Sequence, residues 1–401
     1  MFTFYGNFGT ISFTKGGAVM GEIRRWIGDF FKKADIVLLL LCIVATVFGI
    51  VCISSATAAV GNTRFVSIQT AALILGVIIY ILLTLVDVDI IAERRELLLI
   101  FCIIFIGILY FFGVEGDTGN KSWLEVPLLP VNIQPAEICK IFYIIILAKT
   151  MHASRNKLSS PITIGKMALL TGFFFMYIVL VSSDAGVALI YVFIFITMAF
   201  VGGVNIMWFL LGVGAIVLIA PIVIPFLPEY QYNRIMMFFD PTIDPLGTDV
   251  RWQTNMSLRA IQNGGIAGQG LYNGTMVKSN SLPAQHTDFI LSAIAEELGL
   301  LGCVVVLLLL AAIVLRCIYV GVKSGSYMNR IICIGIAGML LFQIIINVGM
   351  CVGLFPVIGL TLPFISYGGS SIVTMFMAMG VISGIHMRPA PDSNARYIRP
   401  K

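Results

Sequence analysis

Residues 36–53 read IVLLLLCIVATVFGIVCI and contain no charged side chain. A run of about 18 such residues is long enough to cross the hydrocarbon core of a bilayer as one helix. Comparable runs recur, and the chain divides into ten expected spans: roughly 35–55, 66–86, 96–113, 134–150, 165–183, 185–202, 206–227, 288–320, 330–351 and 367–386. The fold class is therefore all-α, a polytopic membrane helical bundle of about ten transmembrane helices. Composition agrees. Charged residues make up 11% of the 401, where a soluble domain carries about a quarter.

The net charge of +5 is explained by where the charges sit, and it gives no reason to expect a nucleic-acid partner. With the N-terminus inside, the cytoplasmic segments collect most of the Lys and Arg, including Arg24, Arg25, Lys32, Lys33, Arg94, Arg95, Lys149, Arg155, Lys157, Arg316, Lys323, Arg330 and Arg388. Only seven of the 25 fall elsewhere: Arg64, Lys121, Lys140, Arg234, Arg251, Arg259 and Lys278. The positive-inside rule then places both termini in the cytoplasm. The expected organisation is a cytoplasmic segment 1–34, a membrane domain 35–386 and a cytoplasmic tail 387–401. The basic, polar start lacks the short apolar run and small-residue cleavage site of a removable signal. All eight cysteines lie in or beside apolar runs without a CxxC pair, which reads as core packing rather than a disulfide framework or a zinc site.

Three outer segments carry the chemistry-bearing residues. The first, 114–133, holds Glu115, Asp117, Lys121, Trp123 and Glu125. The second is a large extracellular loop between spans seven and eight, 228–287, long enough to be functional. Within it YQYNRIMMFFDP and RWQTNMSLRAIQ show helix-like apolar spacing. The third, VGLFPVIGLTLPFISYGGS, is apolar and rich in Gly and Pro. It reads as irregular backbone at membrane depth, tolerated where it is buried in protein or lines a cavity.

Span eight opens unusually, with LPAQHTDFILSAIAEELGLLG. Asp288 to Val320 exceeds the roughly 20 residues of one crossing, and Leu298 to Val320 already suffices. The part before Leu298 is surplus. Glu296 and Glu297 then fall near the outer interface, as ligand groups or as helix residues pairing with loop cations. Asp288 lies about 13 Å away along a helix. Thr287 is a candidate N-cap for such a helix, with Asp288 in its first turn.

Span four opens with NIQPAEICK. Pro135 suits a first helical position. Glu137 and Lys140, three apart, share a face and can pair. Ionisable groups inside a span face the bundle interior or a wet cavity. Asp184, in VSSDAGVAL, reads as a turn or N-cap residue between spans five and six. Span ten starts with SYGGSS, and its N–H groups point outward, where a helix N-terminus can bind phosphate.

The strings GNKSWLEVPLLPVNIQPAEICK, FFDPTIDPLG, AIQNGGIAGQGLYNGT, LPAQHTDFILSAIAEELGLLG and NVGMCVGLFPVIGLTLPFISYGGSS resemble the motifs of the SEDS family, which contains RodA, FtsW and SpoVE. They occur in the family's order over roughly 35–386. The resemblance implies a ten-span peptidoglycan glycosyltransferase of the bacterial cytoplasmic (inner) membrane. Its substrate would be lipid II, the undecaprenyl-pyrophosphate-linked disaccharide-pentapeptide, and its partner a class B penicillin-binding protein that cross-links the product. The process served would be elongation, division or sporulation. The resemblance makes Asp288 of the TDF motif the essential acidic residue. It maps Trp123, the Pro135–Glu137–Lys140 element and Asp184 onto family positions. Ala136 replaces the usual Ser. Ser122 stands where a second cation beside Lys121 is expected. Ala284 stands where the family carries a carboxylate.

Glycan extension needs a sugar hydroxyl to attack an anomeric carbon as lipid pyrophosphate leaves. A positioned carboxylate base assists the attack, and cations or aligned N–H groups stabilise the leaving charge. Asp288 is the expected base. Lys121, Trp123, Glu137, Lys140, Asp184, His286 and Thr287 are the expected substrate-binding residues. No cofactor or protein metal site is called for, and a divalent cation accompanying the pyrophosphate is compatible with the chemistry. Two other classes fit parts of the sequence: a lipid II flippase, and a non-enzymatic membrane scaffold for a penicillin-binding protein. A flippase needs polar groups through the inner halves of the spans, and these are almost purely apolar. A scaffold leaves the acidic outer motif without a purpose.

Overall fold

The computed structural model describes residues 33–61, 63–114, 120–125, 132–226 and 251–388, with Gly28, Tyr232 and Met236. The FFDPTIDPLG string, Arg234, Glu115, Asp117 and most of both terminal segments lie outside the described residues.

Among the described residues ten long helices are present: α1 (Ile36–Ala56), α2 (Arg64–Leu85), α3 (Arg95–Phe112), α4 (Pro135–Ala153), α5 (Pro161–Ser182), α6 (Ala185–Gly202), α7 (Ile206–Val223), α8 (Ile290–Lys323), α9 (Tyr327–Cys351) and α10 (Gly369–Met387). Each corresponds to one expected span. Eight are long and apolar enough to cross a membrane. The exceptions have simple reasons. Helix α4 carries Glu137, Lys140 and Lys149, and α7 counts as a shorter apolar helix over its described residues Ile206–Ile222.

Side chains that compete for backbone N–H groups set the helix starts. Asp35, Ser160, Asp184, Asn205 and Ser326 each accept from an N–H in the first turn, which satisfies donors with no intrahelical partner. Pro135 and Pro161 open α4 and α5, where a missing N–H costs nothing. The eight cysteines are free thiols, seven of them buried.

Helices α9 and α10 form the axis of the bundle. Of their apolar stretches 78% is buried, against 17% for α3. Helix α10 packs closely on α2, where a Cβ on Gly380 would sit 2.9 Å from the Tyr80 carbonyl oxygen. At one end, buried Asp35 joins four helices. Its carboxylate meets Arg316 Nε of α8 at 2.9 Å, its carbonyl accepts from the Tyr80 hydroxyl of α2 at 2.7 Å, and its N–H donates to Ser383 Oγ of α10 at 3.2 Å.

The opposite end holds the loop elements. The expected helical spacing in RWQTNMSLRAIQ forms the helix Trp252–Gly264, and a short helix follows at Thr275–Lys278. The surplus length of span eight is resolved by a break. Gly299, at φ +69° and ψ −167°, interrupts α8, a conformation that glycine reaches without a Cβ penalty. The freed positions take up the loop backbone. Gln269 N–H donates to Glu296 O at 3.0 Å, Gly270 N–H to Glu297 O at 2.8 Å, and Leu300 N–H to Gly265 O at 2.9 Å. Only the part after Gly299 is then needed to cross the membrane.

Candidate functional site

Asp288 lies two residues before α8, in a turn that begins near Ala284. Thr287 does not cap the helix. Phe289 occupies the N-cap position without a side-chain bond, and the Thr287 hydroxyl donates to the Ala284 carbonyl at 3.3 Å. The helix starts too late for Thr287 to reach its first-turn donors. The turn is closed by Thr287 N–H and Phe289 N–H, which both donate to Ala284 O at 3.0 and 3.2 Å.

Beside this turn runs the irregular segment 352–368, between α9 and α10. Gly359 adopts φ +78°, and a Cβ there would sit 3.7 Å from Asp288 Oδ2, so the two segments are in contact. Tyr367 N–H donates to His286 O at 2.8 Å. The rings of Phe65, His286 and Tyr367 form one cluster, with centroids 4.7, 5.1 and 5.6 Å apart. His286 is thus half-buried between α2 and the start of α10.

The remaining expected site residues connect to the same end through the α10 N-terminus. The Thr361 and Ser371 hydroxyls are 3.4 Å apart. Ser370 Oγ accepts from Gln134 N–H at 3.0 Å. Gln134 Nε2 donates to Asp184 Oδ2 at 3.0 Å. Asp184 Oδ1 accepts from Val187 N–H at 3.0 Å, so the residue caps α6. Burial raises the Asp184 carboxyl above the ordinary carboxylate range, and the Val187 N–H bond works against this.

Ser122, which takes the place of a cation, is buried, and its hydroxyl donates to Asp184 Oδ2 and to Ser182 O, both at 3.4 Å. Trp123 is half-buried and paired with Val114, while Lys121 is exposed. Glu137 lies in the first turn of α4 and Lys140 in the second. They pair at 2.6 Å with their side chains 5% and 0% exposed, so they form an internal ion pair. Asp288, His286 and the α10 N-terminus thus stand together, and Asp184 and Ser122 join them through Gln134.

Glu296 and Glu297 take neither of the two expected roles. Glu296 accepts from Met276 N–H at 2.9 Å, Val277 N–H at 3.0 Å and Thr275 Oγ1 at 3.0 Å. Glu297 accepts from Ser55 Oγ at 2.6 Å. Both are buried; through neutral donors Glu296 binds the loop to the start of α8, and Glu297 binds the end of α1 to it. Replacing Glu296 with Ala leaves two backbone N–H groups without partners. Each costs about 1–3 kcal/mol, so a loss of about 3 kcal/mol is expected. Thermal unfolding in detergent measures it, and limited proteolysis should cut the loop between 264 and 280 faster.

Three polar residues in these hydrogen-bond networks carry no expectation from the sequence: Gln69, Gln134 and Asn347. Gln69 and Asn347 are amides inside apolar spans, and that is the signal that could have found them.

Ten long helices among the described residues, packed around a buried axis, define a multi-pass helical membrane protein. The model of the cell cycle protein family of FtsW, RodA and SpoVE matches residues 35–390, and the chain belongs to this family. It is 31% identical over 366 residues to a probable peptidoglycan glycosyltransferase FtsW of Geobacter metallireducens, covering 89% of this chain and 96% of that protein. It is 31% identical over 318 residues to the peptidoglycan glycosyltransferase MrdB of Escherichia coli K12, covering 78% and 83%. Among solved structures, a chain of a peptidoglycan synthase complex that coordinates polymerization and crosslinking superposes with TM-score 0.74 at 28% identity, covering 88% of this chain and 97% of that one. The rod shape determining protein RodA of Thermus thermophilus gives TM-score 0.66 at 25% identity, covering 90% and 98%.

Proposed function

We propose that this protein is a peptidoglycan glycosyltransferase that polymerises lipid II into glycan strands at the outer face of the bacterial cytoplasmic membrane, with Asp288 as general base. The observation that carries the reading is Asp288 in a turn just before α8, against Gly359 and on the same end as the α10 N-terminus. Both substrates are lipids, so their sugars lie just outside the membrane interface. A carboxylate at the mouth of a span meets them there.

The 4-hydroxyl of one saccharide attacks the anomeric carbon of another. The new C–O bond forms as the bond to lipid pyrophosphate breaks, and the hydroxyl proton passes to Asp288. Attack opposite an α-linked leaving group gives a β-linkage. The N–H groups at the start of α10 and the cations Lys121 and Arg64 oppose the charge that develops on the pyrophosphate. Any accompanying divalent cation would be held largely by pyrophosphate oxygens. The excess of Lys and Arg on one side supports an orientation with both termini in the cytoplasm. The relative found in a synthase complex supports a class B penicillin-binding partner.

The test is polymerisation of lipid II by the purified protein together with a class B penicillin-binding protein whose own transpeptidase is blocked. Glycan strands longer than one disaccharide unit are expected. Absence of product, with lipid II crossing liposomes instead, would replace this reading by lipid transport.

A further inference from the structure

The carbonyl oxygens of His286, Thr287 and Asp288 are consecutive, and a different donor holds each. Tyr367 N–H holds His286 O at 2.8 Å. The Ser366 hydroxyl holds Thr287 O at 2.7 Å. Asn347 Nδ2 holds Asp288 O at 2.9 Å. The same Nδ2 donates to Leu360 O at 2.7 Å, so one amide ties the residue that bears the carboxylate to the irregular segment beside it.

That segment is itself held. Ser366 Oγ accepts from Leu362 N–H at 2.8 Å. Gln69, buried in α2, donates to Ser366 O at 3.0 Å and accepts from Gly368 N–H at 3.1 Å. These partners fix which way each amide points. Asn347 Oδ1 is left buried without a partner, which by itself disfavours the folded state. An acceptor buried at a loss, beside two used N–H groups, marks a side chain retained for its donors.

Backbone conformation agrees. Ala284 at φ +44° and Phe364 at φ +64° occupy the left-handed region on either side of the contact. Non-glycine residues persist there only where their surroundings over-determine them.

We infer that Asn347, Ser366 and Gln69 are positioning residues that fix the Asp288 carboxylate through its backbone. The inference rests on Asp288 being the general base. The turn's own bonds both end on Ala284 O, so these donors set where the main chain of residues 286–288 sits, and with it the base of the Asp288 side chain. A displacement of about 1 Å at a reacting group costs on the order of 10²-fold in rate.

The experiment compares lipid II polymerisation kinetics, in complex with the penicillin-binding partner, for wild type, Asn347→Leu, Ser366→Ala, Asp288→Asn and Asn329→Leu. Asn329 is a buried amide on the same helix, 18 residues away, or about 27 Å. Asn347→Leu and Ser366→Ala should each lower kcat about 10–100-fold with KM and partner binding unchanged. Asn329→Leu should leave kcat at the wild-type value. If Asn347→Leu does not fold, Ser366→Ala carries the test alone.

Wild-type kcat in both folded variants would overturn the inference, as would an equal loss in Asn329→Leu or a loss confined to KM. An inactive Asp288→Asn beside a fully active Asn347→Leu overturns this inference and leaves the base assignment standing. An active Asp288→Asn overturns both.

Discussion

Asp288→Asn is expected to lower lipid II polymerisation about 10²–10⁴-fold, the usual contribution of a positioned general base. Asparagine keeps the size and planarity of the side chain but cannot take the hydroxyl proton. The bonds from Tyr367, Ser366 and Asn347 to residues 286–288 go to main-chain carbonyls, so these three survive the substitution. The variant should therefore fold, bind its partner and retain wild-type affinity for lipid II. Loss of kcat without loss of binding separates a chemical role from a structural one. Asp288→Glu retains a carboxylate but carries it one methylene further, and an activity between the two is expected. The readout is glycan chain formation on a gel, with rates taken over a series of lipid II concentrations. A fully active Asp288→Asn protein would move the base elsewhere. Glu137 is then the next carboxylate to test, although its burial and its bond to Lys140 leave it poorly placed to meet a sugar.

The helical frame was legible because lipid imposes it. A run of apolar residues must satisfy its backbone internally, and the helix does this locally, so each span could be placed within a few residues. The length of span eight also showed that part of it was surplus. The break at Gly299 was not legible, because one glycine in an apolar run reads as tolerated. It becomes a break only when the loop at 265–270 supplies partners for the freed backbone, and these partners lie about 30 residues earlier in the chain. Separation along the chain also hid the roles of Glu296 and Glu297, whose partners lie 19–20 and 242 residues earlier. Their partners are main-chain N–H groups and a serine hydroxyl, which leave no mark in composition. Glu137 and Lys140 were legible as a pair because their spacing alone puts them on one face. Asp184 was legible as a cap for the same local reason. Thr287 looked like a cap because the start of α8 was drawn two residues early. Gln69 and Asn347 carry no charge to mark them, although an amide in a span is costly enough to ask for a reason.

Lys140→Met and Glu137→Gln are each expected to destabilise the protein by about 3–5 kcal/mol, the usual cost of leaving one member of a buried pair unpaired. The side chains are 0% and 5% exposed and meet at 2.6 Å, so solvent cannot replace the missing partner. Glu137 Oε2 already lacks a hydrogen-bond partner. Removal of the ammonium would leave the whole carboxylate in a low-dielectric interior. The double variant Glu137→Gln/Lys140→Met should recover most of the loss, since the desolvation cost of both charges disappears together. A double-mutant cycle on unfolding in detergent measures the coupling. Additive single effects would show that the pair is not an energetic unit. The same variants report on the site. Glu137 is three residues from Gln134, whose backbone and side chain join α4 to Ser370 and Asp184. A charge left alone in the first turn of α4 pulls that turn toward water, and the α10 N-terminus is bonded to it. Polymerisation should therefore fall in both single variants and return in the double variant, because the link depends on where α4 sits and not on the charges themselves.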